Sequence, residues 1–522
     1  MPQRPDIGLI DQVRAAVHEL LLSYPRSKAH CRYADVRIEV SEGKAAVAEN
    51  GMDKFSAEDY GLSFGVRAIA GERAAAAGYF GQQLGARDLP QLLERLREGL
   101  DHAYERALWN ARQKAAARDE FPDLGRSLYD LSLAPIEIRT DTVPARYEID
   151  PRQVPLAEVV AYVRDVSRRV QGIGPQVVYN YIGAETHLER ILFVSSEGAN
   201  IDQTWAITQG TCFVVAQGPD AHQELYDFTG HQRGWEVITR GVDEPFIRFP
   251  PLDEFSLALA RDTVELASAP PLPATDKEVV VVTDPHYNAL VCHEVVGHPS
   301  ELDRALKLET GYAGRSWFLK TLRDSQVGRQ VGSPLLSAFS DPTIDGFGHY
   351  LYDDEGTPAR RVYHIREGVY EEFLNSRQMA AIVGATPNGH YKATDAYLVP
   401  LIRMSNTAFA PGDRDPQDII REVDRGYYVV GHRIPSVAES RENFRITAMK
   451  VYEIRDGKLG QLFRDGGLVS DSRDFFMNVD AVGNDFRLFA IPNCGKGQPM
   501  QTKRMSNGGP TLRSRARLSG RQ

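Results

Sequence analysis

Two spacings of apolar residues alternate along the first half of the chain and predict strands interspersed with helices. Apolar residues three and four positions apart are typical of a helix with one buried face, and strict alternation is typical of a strand. The predicted helices cover residues 10–22, 90–117, 156–170 and 252–267. The predicted strands cover residues 34–40, 45–48, 61–70, 75–80, 176–182, 188–196 and 204–217, with a turn at 41–44.

A proline-rich stretch at residues 269–275 marks the clearest boundary, because its three prolines stiffen the backbone. Beyond it, consecutive valines predict a buried strand at 278–283. Short strands and Gly, Pro and Asp turns follow, with predicted helices at 288–297, 302–308 and 416–423. We therefore predict an α+β fold overall. Its parts are an N-terminal α/β domain (1–250), a helix with a proline-rich linker (251–275), a mostly antiparallel β domain (276–500) and a basic C-terminal tail (501–522).

Composition and charge limit the possible functions. The chain has 522 residues and a net charge of −10, which argues against general nucleic-acid binding. The basic tail is a local exception, which we expect to be solvated and partly frayed. We find no apolar stretch long enough to span a membrane and no signal peptide. Four cysteines in so long a chain do not predict a disulfide framework, so we expect a cytoplasmic protein.

The segment 291–298, Val-Cys-His-Glu-Val-Val-Gly-His, combines two imidazoles with a carboxylate on one predicted helix. It resembles the H-E-x-x-H arrangement of zinc peptidases, in which histidines four residues apart point the same way. Here His293 and His298 are five apart, and five residues of a regular helix turn about 140° beyond a full circle. Two local changes would bring the rings together. One is a π-type turn, and the other is an end to the helix just before His298, where Gly297 and Pro299 favour a break.

A third ligand is needed, because catalytic zinc takes three protein ligands and keeps one position for water. The available residues are Glu301, Asp303, Cys292 and Cys494. Glu301 and Asp303 could instead orient the imidazoles from outside the ligand sphere. Cys292 points about 100° away from its helical neighbour and fits the core better. Cys494 lies in a predicted irregular loop at 492–498, where Lys496 would favour the thiolate.

Together with the cysteine loop, the His-Glu segment resembles the TldD/PmbA family, and specifically its TldD-like, metal-binding branch. Further stretches that agree with this resemblance occur over most of the chain, in the right order. They are 49–51, 65–67, 71–73, 353–360, 403–407, 411–413, 480–485 and 509–512. The chain departs from the family at 431–436, where many members have a glycine-rich stretch, and at 299–300, where a glycine-leucine pair is common.

The resemblance implies a zinc metallopeptidase whose metal is bound by His293, His298 and Cys494. Glu294 would then act as the general base. Unfolded or small peptides are the implied substrates, within the cavity of an oligomer. The implied partner is a second copy of the chain, in a homodimer, or a metal-free PmbA/TldE-like chain, in a heterodimer.

Four residues of the C-terminal half could contact the substrate by donating hydrogen bonds to the oxyanion. They are His390, Tyr391, Arg403 and Asn406. The alternative function is that of a zinc-stabilised subunit that binds peptides or regulates a partner without cutting. Three protein ligands plus water would favour the enzyme, and a fourth protein ligand would favour the subunit. A nucleotide-cofactor enzyme has little support, because the glycines near Gly65 form no dinucleotide-binding fingerprint.

Overall fold

Helices of the N-terminal half lie close to where the sequence predicts them. The computed structural model describes residues 6–121, 130–309, 314–321 and 324–520. Its α-helices are α1 (Leu9–Ser27), α2 (Leu92–Glu120), α3 (Leu156–Gln171), α4 (Glu236–Thr239), α5 (Leu252–Ala267), α6 (Pro285–Val291), α7 (Leu302–Ala305), α8 (Arg377–Val383), α9 (Pro416–Arg421) and α10 (Ser472–Met477). Within the described ranges, no helix is both long and apolar enough to cross a membrane.

One seven-stranded sheet organises the N-terminal half. Its strands are β1 (Cys31–Glu49), β2 (Met52–Ala70), β3 (Ala76–Gln83), β4 (Thr140–Val143), β5 (Val177–Ser195), β6 (Asn200–Gln217) and β7 (His222–His231). They are ordered β3-β2-β1-β5-β6-β4, with β7 beside β6. Strands β4 and β6 run parallel, and the other neighbours run antiparallel. Helices α1, α2, α3 and α5 pack on this sheet.

The two faces of β1 show why the sheet lies between the helices and the C-terminal half. Successive side chains of a strand point to opposite faces. The residues of one face, buried with the apolar residues of α1 and α2, are Val36, Ile38 and Val40. On the other face, Arg67 of β2 binds both Asp35, at 2.5 Å, and Glu355 of the C-terminal half, at 2.7 Å. The buried ion pair between Arg67 and Glu355 connects the sheet to the C-terminal half.

Two larger sheets form the C-terminal half. Ahead of α5, two short strands pair with each other, β8 (Val242–Asp243) and β9 (Arg248–Phe249). The strands of the C-terminal half are β10 (Val279–Thr283), β11 (Leu319–Thr321), β12 (Asp324–Ser325), β13 (Ala338–Ser340), β14 (Val362–Arg366), β15 (Val369–Tyr370), β16 (Tyr391–Lys392), β17 (Leu401–Ile402), β18 (Thr407–Phe409), β19 (Arg425–Val437), β20 (Asn443–Arg455), β21 (Lys458–Phe463), β22 (Gly467–Asp471), β23 (Ala481–Val482), β24 (Arg487–Lys496), β25 (Gln501–Gly509) and β26 (Leu512–Ser519). One sheet has the order β10-β19-β20-β22-β26-β23, and the other β15-β14-β13-β18-β25-β24. Most pairs are antiparallel, so the predicted α+β class is confirmed.

The turn predicted at 41–44 is wrong, because β1 continues through it without interruption. A Cβ added to Gly43 would lie 2.5 Å from the Cβ of His187 on the adjacent strand β5. The glycine therefore permits close approach of two strands instead of forming a turn. Strand β5 is likewise one element where two strands, 176–182 and 188–196, were predicted.

The predicted basic tail at 501–522 is also wrong for the described residues 501–520, most of which form β25 and β26. In β26, the residues facing the core are Leu512, Ser514, Ala516 and Leu518, and all four are buried. The arginines at the positions between them are partly or fully exposed. The positive charges are thus the outer face of an alternating strand. The division into domains at 250 and 275 stays a prediction.

Candidate metal centre

A helix that widens into a π turn brings His293 and His298 to the same side. Helix α6 follows β10 and continues into a π turn at Cys292–Gly297 and a 3₁₀ turn at His298–Ser300. A π turn bonds residues five apart, so it aligns side chains with that spacing. The ring centres are 4.7 Å apart and the ring planes meet at 84°. The helix predicted at 288–297 therefore begins earlier than expected and ends in irregular turns.

Polar and packing contacts fix both ends of this segment. Asp284 Oδ1 accepts hydrogen bonds from Tyr287 N at 2.7 Å and from Gly431 N at 2.9 Å. A carboxylate at this position satisfies N–H groups that the helix leaves unpaired. At the other end, a Cβ on Gly297 would lie 1.8 Å from Met404 Sδ. A larger residue there would force the Met404 side chain to move, because Met404 packs directly against the backbone that leads into His298.

Strand β24 brings a sulfur to the same place. Cys494 follows a β-bulge in the pairing of β24 with β25, and its Sγ is 3.6 Å from His298 Nε2. One ligand atom from each of His293, His298 and Cys494 lies within 4.8 Å of the other two, and all three residues are buried. The cysteine lies in a strand and not in the predicted irregular loop. Arg403 Nη2 holds it there by donating to the Cys494 carbonyl at 2.5 Å.

Neighbouring side chains leave a lone pair of each imidazole available. Asn507 donates from Nδ2 to the Thr407 carbonyl at 3.1 Å, so its Oδ1, 2.9 Å away, accepts from His293 Nδ1. With the proton on Nδ1, His293 Nε2 is free to bind a cation. His298 Nδ1 lies 3.3 Å from Glu301 Oε2, which fixes the second ring in the same way. Such partners orient metal-binding histidines and raise their basicity.

The three donors fit a zinc ion. Zinc bonds imidazole nitrogen at about 2.0–2.1 Å and thiolate sulfur at about 2.3 Å in tetrahedral geometry, which places N and S about 3.5 Å apart. The distance between Cys494 Sγ and His298 Nε2 is 3.6 Å. Two imidazoles and one thiolate also match the ligand preference of this metal better than that of magnesium or calcium.

The electrostatics agree with a cation at this point. Burial raises the pKa of the Cys494 thiol, but His293, His298 and Arg403 together bring it well below its ordinary value. Burial lowers the pKa of His293, and the Cys494 thiolate raises it to about 9. These shifts favour a thiolate beside an imidazolium when no cation is bound. A divalent cation would displace the imidazolium proton and take its place against the sulfur.

The other proposed third ligands are engaged elsewhere. Lys496 Nζ lies 2.7 Å from Asp303 Oδ1 and 3.3 Å from Glu301 Oε2, and all three side chains are buried. Burial raises the pKa of Glu301, but Lys496 and Arg304 hold it well below its usual range. Lys496 thus neutralises these carboxylates instead of activating the thiol. Cys292 is fully buried in the core, and burial raises its pKa well above the ordinary value.

Glu294 lies at the edge of the group, with its side chain 12% exposed and 3.5 Å from Arg441 Nη2. Burial raises its pKa, but the charges of His298 and Arg441 outweigh burial and lower it below the ordinary value. Glu294 is therefore an ionised carboxylate next in sequence to His293 and at the boundary with solvent. A carboxylate in this position can accept a proton from a bound water.

The chain that carries these residues matches a known protein family. The model of the PmbA/TldA metallopeptidase C-terminal domain matches residues 276–518. A metalloprotease of Methanothermobacter thermautotrophicus is 30% identical over 384 residues, which cover 73% of this chain and 78% of that protein. The chain belongs to the TldD/PmbA metallopeptidase family.

Other members of the TldD/PmbA family agree in sequence and in fold. A zinc metalloprotease TldD homologue of Saccharolobus solfataricus is 23% identical over 426 residues, which cover 80% of this chain and 89% of that protein. The crystal structure of TldE from Thermococcus kodakarensis has the same fold, with a TM-score of 0.66 and 15% identity over 96% of this chain and 99% of that one.

Of the four residues expected to contact substrate, the structure buries three within this TldD/PmbA fold. Asn406 donates to the Asp341 and Ile344 carbonyls at 3.1 and 2.7 Å, and Arg403 donates to those of Cys494 and Gln501. His390 is fully buried, with Nδ1 on the Asn388 carbonyl at 2.9 Å. Half-buried Tyr391 has its hydroxyl 3.5 Å from that of Tyr79. Arg403, Asn406 and His390 thus each bond backbone carbonyls, and a contact of any of the four residues with substrate stays a prediction.

Two contacts of the metal group were not predicted from the sequence. Asn507 lies two residues before the stretch 509–512 that resembles the family, so a polar residue followed by Gly508 and Gly509 was an available signal. No signal in the sequence pointed to Arg441, because it reaches Glu294 from the tip of the hairpin between β19 and β20.

Proposed function

We propose that this chain is a zinc-dependent peptidase that hydrolyses unfolded or small peptides. His293, His298 and Cys494 would hold the metal, and Glu294 would be the general base. The single observation that supports this most is the convergence of the three donors within 4.8 Å beside an ionised carboxylate. When bound, zinc supplies Lewis-acid chemistry, which acidifies a water and polarises a carbonyl.

The chain's own residues transfer the proton, orient the imidazoles and exclude water. Glu294 takes a proton from the attacking water and returns it to the leaving amine, so that one water is consumed for each C–N bond broken. Asn507 and Glu301 hold the two imidazoles through their Nδ1 atoms. Burial of the group excludes bulk water and strengthens the electrostatic interactions within it.

Peptides in an extended conformation suit the surroundings of the group. Strand β24, which contributes Cys494, is the last strand of its sheet among the described residues. A peptide can add to such an edge through main-chain hydrogen bonds, with little demand on its sequence. This supports a substrate class of unfolded or small peptides without a fixed recognition sequence.

The proposal extends to assembly and location. We infer that the chain works in an oligomeric cavity, as a homodimer or with a metal-free PmbA/TldE-like partner, because a TldE shares its fold. A reducing cytoplasm is proposed because Cys31, Cys212, Cys292 and Cys494 are all free thiols. Among the described residues the metal group has three protein ligands, which supports an open catalytic position over a closed structural site.

The decisive variant is Glu294→Gln, with Glu254→Gln as control. Glu254 is an exposed carboxylate in the first turn of α5, so its loss alters charge equally but away from the group. Glu294→Gln should keep its zinc and lose cleavage of an unstructured peptide by at least about 100-fold. Glu254→Gln should match the wild type, and a chelator should abolish its activity until zinc is restored. Undiminished turnover by Glu294→Gln would refute the general-base role.

A further inference from the structure

Arg441 has an unusual environment at the tip of the β19–β20 hairpin. The residue is 7% exposed, so its guanidinium is almost entirely removed from water. Its backbone φ is +65°, a region that residues other than glycine rarely adopt. The Ser472 hydroxyl donates to its carbonyl at 2.7 Å, and its own N–H donates to the Ala438 carbonyl at 2.9 Å. The fold therefore fixes a rare backbone conformation to direct this side chain inward.

The guanidinium reaches Glu294 but makes few bonds there. Nη2 lies 3.5 Å from Glu294 Oε2, beyond the usual length of a charged hydrogen bond. Nη1 is 3.4 Å from the Ala438 carbonyl, and the buried Nε has no hydrogen-bond partner among the residues that the structure describes. A guanidinium offers five N–H donors, and a buried donor without a partner costs free energy. On the Nε–Nη2 edge, next to the carboxylate, one donor is thus unbonded and the other only weakly bonded within the described residues.

The chemistry proposed for the site creates an anion that could use them. As the water oxygen bonds to the carbonyl carbon, the π electron pair of the C=O bond moves onto the carbonyl oxygen. Glu294 takes the proton of the water in the same step, so the negative charge passes from the carboxylate to the carbonyl oxygen. Donors already in place for this charge, in a site from which water is excluded, are what stabilises a transition state.

We propose that Arg441 donates hydrogen bonds to the oxyanion of the tetrahedral intermediate, as a catalytic residue for peptide hydrolysis. The inference rests on the proposed function. The cation also balances Glu294 before the reaction. The four residues that the sequence pointed to for this task do not include Arg441, and three of them are buried against the protein's own backbone.

The test uses Arg441→Gly, because glycine adopts the positive φ of this position without strain and leaves space for an added guanidinium. Arg441→Lys keeps the charge but not the fork of donors. The control is Glu442→Gln, an exposed neighbour on the same hairpin tip. Zinc content and thermal unfolding of each variant establish that the metal group and the fold are intact.

The first readout is the affinity for a phosphinic peptide, whose tetrahedral anion imitates the intermediate. Arg441→Gly should bind it about 100- to 1,000-fold more weakly than wild type, with partial recovery in guanidinium chloride but not in sodium chloride. Affinity for the plain peptide, measured in the Glu294→Gln background, should change less than about threefold. Glu442→Gln should show no change. If Arg441→Gly does not fold, Arg441→Lys should still lose at least about tenfold of phosphinic affinity.

Unchanged phosphinic affinity in Arg441→Gly or Arg441→Lys would overturn the inference. The inference would also be overturned if the variants lost affinity only for phosphinic peptides with a free C-terminal carboxylate and not for the corresponding amides. Arg441 would then bind the C-terminus of the peptide. Failure of the proposed function looks different. A wild-type protein that binds the phosphinic peptide through Arg441 but cuts no peptide would show an anion contact at Arg441 and contradict the peptidase, and the catalytic role of Arg441 would fail with it.

Discussion

Replacing Asn507 by leucine should weaken zinc binding without changing any of the three proposed ligands. Asn507 Oδ1 accepts from His293 Nδ1 at 2.9 Å and fixes both the tautomer and the angle of the ring. Leucine has a similar volume but no acceptor, so the buried Nδ1 proton would have no partner. Loss of such a contact typically costs 10- to 100-fold in metal affinity, or about 1.4 to 2.8 kcal/mol.

The matched control is Asn507→Asp, because both variants lose the donation from Asn507 Nδ2 to the Thr407 carbonyl. They differ in the acceptor for His293, which aspartate keeps. Competition with a zinc-binding dye measures both affinities. We expect the leucine variant to bind zinc about 10- to 100-fold more weakly and the aspartate variant to stay near wild type. Equal affinities in the two variants would refute the role assigned to this hydrogen bond.

Two further predictions concern packing and pH. Gly297→Ala should lower the free energy of unfolding in urea by about 1–3 kcal/mol, because its Cβ would lie 1.8 Å from Met404 Sδ. The double variant Gly297→Ala/Met404→Ala should lose less free energy of unfolding than the sum of the losses in the two single variants. Losses that simply add would contradict the clash. Burial lowers the pKa of His364 to about 4, against about 6.5 in the unfolded chain, so about 3 kcal/mol of stability should be lost as pH falls from 6.5 to 4. Calorimetry of His364→Gln should show a smaller loss of stability between pH 6.5 and 4 than the wild type shows. An unchanged dependence of stability on pH would exclude this histidine as the cause.

The sequence predicted the chemistry of the site better than its geometry. Residue types alone pointed to His293, Glu294 and His298 and left Cys494 among four possible third ligands, and the family resemblance then singled out Cys494. The spacing of five raised a geometric problem whose solution depends on tertiary packing. The π turn is held by Asp284 at one end and by Met404 against Gly297 at the other, and no local propensity specifies both.

The errors in the fold have a similar origin. Gly43 has the local character of a turn residue, but it lies opposite His187 of β5, and that pairing is invisible in a local window. The arginines of β26 looked like a charged tail because the buried residues that alternate with them include Ser514 and Ala516, which are small and not strongly apolar. Arg441 could not be found because a hairpin of two 13-residue strands brings it to Glu294.

X-ray absorption at the zinc edge tests the central claim most directly, because it reports the ligand atoms around the metal in solution. For the purified zinc-loaded protein we expect two imidazole nitrogens at about 2.0–2.1 Å, one sulfur at about 2.3 Å and one light atom from solvent. The sulfur shell should vanish in Cys494→Ala. A wild-type spectrum without sulfur, or a sulfur shell that persists in Cys494→Ala, would contradict the account.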